Sequence, residues 1–406
     1  MRTTILFTFC LLSPLLTSAA DIYVNNSGQS GTHSTITAAI AAASPGDNIY
    51  ISPYGSYTED LTIDKDLSLI SAVSGTAFNV IGTLTINSIP NMLVKIIGAS
   101  FTGNFTANTG SAGLNTKSQI YLIESAFRNV TGKDYVEMHV LFCKKESMGV
   151  TIDHGEIKGC LISGVLIGDT PDVGIGDTVL IIGNKCSRIS WSNDDSYFII
   201  ANNFIHTTQY AAFQVSKDYS TTTNLNLFQN NTIIIDIPSA VGYERGFLFY
   251  DPNLGIEFYN NIIINNSSDG NGYYFNSSPN FTLNWFNNLF FNFSLSFQNT
   301  SNSSQYSWMY STSINNDDAT VFNLSDIDSL GRCFNTTYAL DKGYPSLNHY
   351  DIDLTPNDRG AYGGPYSIDN YHNTAAGKAR VYDLDMPFEI WNGQTPQVKA
   401  KAVHTK

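Results

Sequence analysis

The sequence predicts an all-β solenoid, a chain of short strands wound into stacked coils. Three observations carry that expectation. Two asparagines followed by apolar residues recur at Asn202-Asn203-Phe204-Ile205, Asn230-Asn231-Thr232-Ile233, Asn260-Asn261-Ile262-Ile263 and Asn287-Asn288-Leu289-Phe290. The second asparagine returns at steps of 28, 30 and 27 residues, a period at which one unit of short strands stacks on the next. Charged residues make up only 14% of the 406-residue chain, against about 25% in an ordinary soluble domain. Aromatics reach 13%, which excludes a disordered chain.

In chain order, residues 1–20 read as a cleavable secretory signal. Arg2 precedes an apolar run from Ile5 to Leu16, and Thr17-Ser18-Ala19-Ala20 supplies the small residues before Asp21. The run is short for a bilayer span, and no later segment is a transmembrane candidate. Localisation is therefore expected to be secreted or at the cell surface. The one segment with helical spacing follows, from Thr35 to Ala43. Ser34 or Thr35 can cap its start, and Pro45-Gly46 stops it. Alternating runs then succeed one another: Asn48–Ser52, Leu61–Ile63, Leu67–Ile70, Leu84–Ile86 and Leu93–Ile97.

The asparagine motif has a mechanical reading. Asparagine tolerates the left-handed backbone of a sharp turn. In stacked coils the same turn recurs, so its side chains can hydrogen-bond up a ladder while Ile, Leu and Phe stack inside.

The opening of the chain carries a resemblance. Thr35-Ile36, Ala38-Ala39-Ile40, Pro45-Gly46-Asp47, Gly55-x-Tyr57-x-Glu59, Leu61-x-Ile63 and Leu67-x-Leu69-Ile70 resemble the start of secreted right-handed parallel β-helix proteins of the pectate-lyase-like superfamily. Near the other end, Asp341-Lys342-Gly343, Asp351-Ile352-Asp353 and Asp358-Arg359-Gly360-Ala361-Tyr362-Gly363-Gly364-Pro365 are similar to the segment that closes many bacterial members. The resemblance implies a right-handed parallel β-helix over residues 21–366, with a short N-terminal helix capping its open edge. Residues 367–406 are then a polar linker and a small C-terminal β tail, too short to fold alone.

Charge narrows the partners. Twenty-one basic against 35 acidic residues give a net charge of −14, so no nucleic acid is expected. The resemblance implies an extracellular polysaccharide instead. Cys143, Cys160, Cys186 and Cys333 remain after signal removal. They are too few for a disulfide framework at this length, and they read as small buried hydrophobes. Asn-x-Ser/Thr triplets, Asn104 and Asn129 among them, arise by chance in so asparagine-rich a chain.

The superfamily contains lyases, hydrolases and esterases, and each implies a residue set. The paired aspartates, glutamines and late arginine-tryptophan motif of a pectinesterase are missing. Asn193-Asp194-Asp195 and Asn316-Asp317-Asp318 offer acid pairs for a hydrolase but read better as solvated turns. A lyase needs a base and a cation beside a uronate carboxylate. Ile152-Asp153-His154 resembles a short pectate-lyase motif, although Thr151 stands where those enzymes have tryptophan, and their arginine-proline motif is absent. The densest mixed-charge run holds it, so Asp153, Glu156, Lys158 and Arg188 are the catalytic candidates. His154 and Lys185 are candidates for holding substrate. Lys158 and Lys185 differ by about one coil and could share a face, as a cationic patch for an acidic sugar. The competing reading is a polar outer strand with local ion pairs.

Trp285 and Trp308 are weighed equally as sugar-stacking platforms and as core rings. Asp351, Asp353, Thr355, Asn357 and Asp358 place hard oxygen ligands at alternating spacing, so Ca²⁺ is the cofactor they could hold. A hydrogen-bonded turn is the preferred account of them. Two functions stay open. One is a protein that binds or processes an extracellular polysaccharide, by elimination on an acidic glycan if it is an enzyme. The other is a non-catalytic surface or adhesion scaffold. Fold alone does not choose between them.

Overall fold

A computed structural model describes residues 19–403 apart from 109, 114, 134, 168–177, 193–196, 209–210, 216–225, 238–245, 250–254, 267–272, 275–281, 292–294, 297–316, 320–323, 346–349, 352, 354, 373–379 and 386–398. Residues 1–18 of the segment expected to be a signal, Asn193-Asp194-Asp195 and Trp308 lie outside the described residues. The fold is a right-handed parallel β-helix whose coils have three sides. A long sheet of 12 strands runs from Asp21–Val24 to Thr282–Phe286. A second sheet of nine runs from Leu61–Ile63 to Phe247–Phe249. The third side begins as three strands from Ser56–Tyr57 and ends as six strands from Lys185–Cys186 to Asp317–Ala319. Single bridges, Ser100 to Ala126, Lys144 to Leu161 and Leu161 to Lys185, carry that side between them.

Alternation fills the coil. One inward column of the long sheet runs Ile49, Leu69, Ile96, Leu122, Val140, Ile157, Ile181, Ile200, Phe228, Phe258, Trp285, each paired in register with the next. Parallel strands place like beside like, so the column turns from aliphatic to aromatic without losing contact.

The N-terminal cap explains the opening motif. The helix Ile36–Ala42 is capped by the Thr35 hydroxyl, which accepts from Ala38 N. Glu59 reaches back to accept from Ile36 N and Thr37 N at 2.9 and 2.8 Å, filling donors that a helix start leaves open. At the other end Lys65 Nζ donates to the carbonyls of Ile40 and Ala43. Asp47 accepts from Ala20 N and Ser44 N, which fixes the turn after Pro45-Gly46.

From Gly98 onward, each corner after the long sheet holds one residue at positive φ. In the later coils these are Asn202, Asn230, Asn260 and Asn287, with φ between 51° and 56°. The following asparagine turns inward. Asn184, Asn203, Asn231, Asn261 and Asn288 form a buried ladder, each Nδ2 donating to the next Oδ1 at 2.9–3.1 Å. Each also donates to a long-sheet carbonyl one coil back, such as Ile200 O from Asn231 at 2.9 Å. The predicted ladder is therefore present. It continues backwards in other residues: Cys160, Cys143 and Ser125 occupy the same rung position and reach Val140 O, Leu122 O and Ile96 O. Cys143, Cys160, Cys186 and Cys333 are buried and unbridged.

Residues 324–372 do not extend the coil. They run along its outside as a strap. Asn287 Nδ2 donates to Lys342 O and Gly343 O. Tyr344 N donates to Asn260 Oδ1. Asn230 Nδ2 donates to Asn357 Oδ1 and Asp358 O. Asn202 donates to Ala361 O and Gly363 O. The first asparagine of each repeat thus holds the strap while the second builds the ladder. Ile368, expected in a linker, is fully buried among Phe204, Ile234, Ile262 and Leu289 on the outer face of the third side. The tail beyond forms an antiparallel pair, Arg380–Asp385 with Lys399–Val403.

Candidate functional site

The sequence-predicted residues meet the structure most densely on the outer face of the long sheet. Strands there are offset by short coils of 17 and 18 residues. Register places Tyr121, His139 and Glu156 in one outward row, Glu137 beside His154, and Leu141 beside Lys158. Gly155, at φ +110°, lets the strand approach its neighbour: a Cβ there would sit 2.0 Å from Met138 O.

Glu156 is the centre of the group. Its Oε1 lies 2.9 Å from His139 Nδ1 and its Oε2 2.5 Å from Lys158 Nζ. His139 Nε2 faces Glu137 Oε1 at 3.6 Å, and Gln119 Nε2 donates to Glu137 Oε2 at 3.2 Å. The His139 ring is stacked on Tyr121 with centroids 4.1 Å apart. Burial pushes the Glu156 carboxyl up, but the His139 hydrogen bond and the Lys158 charge outweigh it and hold the group at about 2. The strap closes this cluster. Tyr371 packs against Phe142, and His372 Nε2 meets Gly183 O at 2.8 Å. Gly159 and Gly183, both at φ +65°, make room for the Tyr371 side chain. His139, Glu156 and Lys158 keep only 12, 13 and 12% of their side-chain exposure. Asp153 and His154 are buried and engaged in contacts.

The other candidates lie elsewhere. The coil between Cys160 and Asn184 is 24 residues long, so the 27-residue step from Lys158 to Lys185 overshoots it and turns the corner. Lys158 pairs in register with Ile182, while Lys185 stands on the third side beside Phe204. Arg188 opens a strand of the second sheet. Lys158, Lys185 and Arg188 leave the coil on three different sheets, which corrects the expectation of one shared face. Trp285 is a core ring, 5% exposed and stacked on Phe258 at 4.1 Å, so it offers no sugar platform.

The acidic set near the C-terminus is occupied by its own turn. Asp351 accepts from Asp358 N and Gly364 N. Asp358 accepts from Asp341 N at 2.8 Å, and Asp353 accepts from Thr355 N and Oγ1. Asn357 is turned away to Asn230. Burial, with Asp358 and Asp353 nearby, raises the Asp351 carboxyl to about 6. Among the described residues no group of three or more His, Cys, Asp and Glu is arranged to hold a metal ion. The turn thus accounts for the oxygens that were candidates for calcium.

His139, Glu137, Gln119, Tyr121 and the strap's Tyr371 escaped the sequence reading. Coil length was the hidden variable. A 17-residue coil sets His139 opposite Glu156, and no repeated motif marks coils that short.

No protein-family model and no curated protein sequence matches the chain. Among solved structures, the pectin methylesterase from Aspergillus niger in deglycosylated form is similar at 15% identity and a TM-score of 0.25. The match covers 78% of this chain and 92% of that one. The likeness is loose, and the β-helix rests on the strand register described above.

Proposed function

We propose that this is an exported protein of the pectate-lyase-like superfamily that binds an extracellular polysaccharide and uses its coil as a rigid binding surface rather than a catalytic groove. The supporting observation is the state of the Glu156 cluster. A lyase base must be able to take a proton near neutral pH. Glu156 is held at about 2 and is clamped by His139 on one side and Lys158 on the other. Lys158 is in turn committed to Glu156, and the next candidate cations, Lys185 and Arg188, stand on other sheets. Carbon-acid chemistry needs base and cation at one point, and Glu156, Lys158, Lys185 and Arg188 do not bring a free pair together.

The test is incubation with a panel of uronate and neutral polysaccharides, with and without Ca²⁺, alongside affinity electrophoresis in the same polymers. Retardation in at least one polymer, with neither unsaturated product in the ultraviolet nor new reducing ends, is the expected result. Unsaturated product that disappears in Lys158→Ala would overturn the binding reading and install a lyase at the cluster. Reducing ends without that product would overturn it in favour of hydrolysis.

A further inference from the structure

The cations that the Glu156 cluster does not use gather around one corner of the coil, where the third side meets the second sheet. On the third side an outward column runs Ser100, Ala126, Lys144, Leu161, Lys185 and Phe204, linked by successive bridges and one strand pair, with Ala126 and Lys144 on neighbouring coils. Cys143 and Cys186 point inward beside the two lysines, so alternation sends Lys144 and Lys185 outward. Around the corner with the second sheet stand Arg128 and Arg188, both exposed. They precede or occupy one row, Asn129, Gly149, Gly164, Arg188. Arg188 lies over Gly164, where an added Cβ would come within 3.3 Å of its Cγ. Lys145 completes the set, its Nζ 3.5 Å from Phe101 O.

Among the described residues these five cations have no ion-pair partner. Lys185 meets only the Phe204 ring, at 5.7 Å. Their state differs from that of Lys158, paired with Glu156, and of Lys65, which caps a helix. Glu124, half-buried at a corner, and Glu146, exposed, are acids of the same coils among the described residues. In a chain of net charge −14 five cations around one corner run against the overall charge.

We infer that this face is the binding surface for an acidic polysaccharide, a chain bearing carboxylate or sulfate groups. This rests on the polysaccharide-binding reading above and gives it a place and a ligand class. Three steps of the coil separate Arg128 from Arg188, a span of ~14 Å at the spacing of paired strands. The cations therefore form a stripe along the axis, matched to a single extended anionic chain. A broad anionic surface, such as a membrane, would also meet the rest of a chain of net charge −14 and be repelled.

The experiment uses the mature chain, affinity electrophoresis and titration calorimetry. The probes are polygalacturonate, alginate, a neutral galactan and vesicles of phosphatidylglycerol with phosphatidylcholine. Wild type should bind a uronate polymer, weakening with salt, and the triple variant Lys144→Ala, Lys185→Ala, Arg188→Ala should lose about tenfold or more in affinity. Lys95→Ala and Lys133→Ala, on other parts of the coil, should bind as wild type does. Circular dichroism and melting temperature check that the triple variant is folded. Unchanged uronate binding in the folded triple variant overturns the inference, as does equal binding of the neutral galactan. Binding to the vesicles but to no polymer overturns it in favour of a lipid surface. Retention of galactan alone leaves polysaccharide binding standing and removes the acidic face, whereas retention of no polysaccharide removes both.

Discussion

The two halves of the coil solve one mechanical problem with different side chains. Between Asn202 and Asn288 each corner is fastened by asparagine twice, once outward to the strap and once inward along the ladder. Between Ser125 and Cys160 the same rungs are Ser and Cys, and the left-handed corner residues are Glu124, Phe142 and Gly159. The earlier half therefore has weaker rungs. Cys160 Sγ lies 3.4 Å from Val140 O, where an asparagine donates to two acceptors. In exchange it carries the Glu156 cluster on its outer face. The backbone repeats throughout, but only the half whose strap demands an outward donor keeps a visible sequence period.

Breaking the ladder should have the largest effect. Asn231→Leu removes the acceptor of Asn203 N and Nδ2 and the donor to Ile200 O and Asn261 Oδ1. Several buried polar groups lose partners at once, so a loss of about 4 kcal/mol is expected from urea unfolding. An effect below about 1 kcal/mol would mean that the aromatic column alone holds the later coils.

Acid should test the earlier half. The Glu156 carboxyl is lowered from 4.5 to about 2 in the folded protein. A depressed folded value means that the stabilisation is present at higher pH and is lost as pH falls from about 4.5 to about 2. The ceiling is about 3 kcal/mol, from 1.36 kcal/mol per unit. Glu156→Gln should flatten the unfolding midpoint across that window. A wild-type profile that matches the variant's would show that His139 and Lys158 do not stabilise the charged form.

The mildest substitution should sharpen the contrast. Cys160→Asn puts an amide of similar volume between Val140 O and Asn184 Oδ1, the acceptors that a ladder asparagine uses. It should be neutral to within about 1 kcal/mol in the same urea assay. A loss well beyond that would show that the earlier rungs are too narrow for asparagine and that cysteine is required by shape.

What was legible in the sequence follows from these constraints. The asparagine ladder could be read because a left-handed turn and a two-acceptor rung both call for that residue. The cap could be read because Thr35 answers an open group at the start of one short helix and Pro45-Gly46 ends it, whereas Glu59 and Lys65 reach it from 23 and 25 residues away. The pairing of Glu156 with Lys158 lay in a two-residue step along one strand, which alternation makes visible. The partnership of Glu156 with His139, and the separation of Lys158 from Lys185, depend on coil length. That length is 17 residues in one coil and 24 in another, with no fixed motif at the corners to count it. The outward role of the first asparagine was hidden for a different reason, since its partners lie as far as 161 residues away.

The strap has a consequence for how the molecule comes apart. A solenoid whose coils touch only their neighbours can fray from its open end, one unit after another. Here His372 reaches back 189 residues to Gly183, and the segment before it is fastened to the corners at Asn287, Asn260, Asn230 and Asn202. The last coil cannot unwind while that seam is closed, and the seam cannot form until the coils beneath it exist. Contacts of such separation form late in folding, and late contacts act mainly on the rate of unfolding. The strap is a zip fastener drawn last, joining coils that would open singly into one cooperative, slowly opening rod.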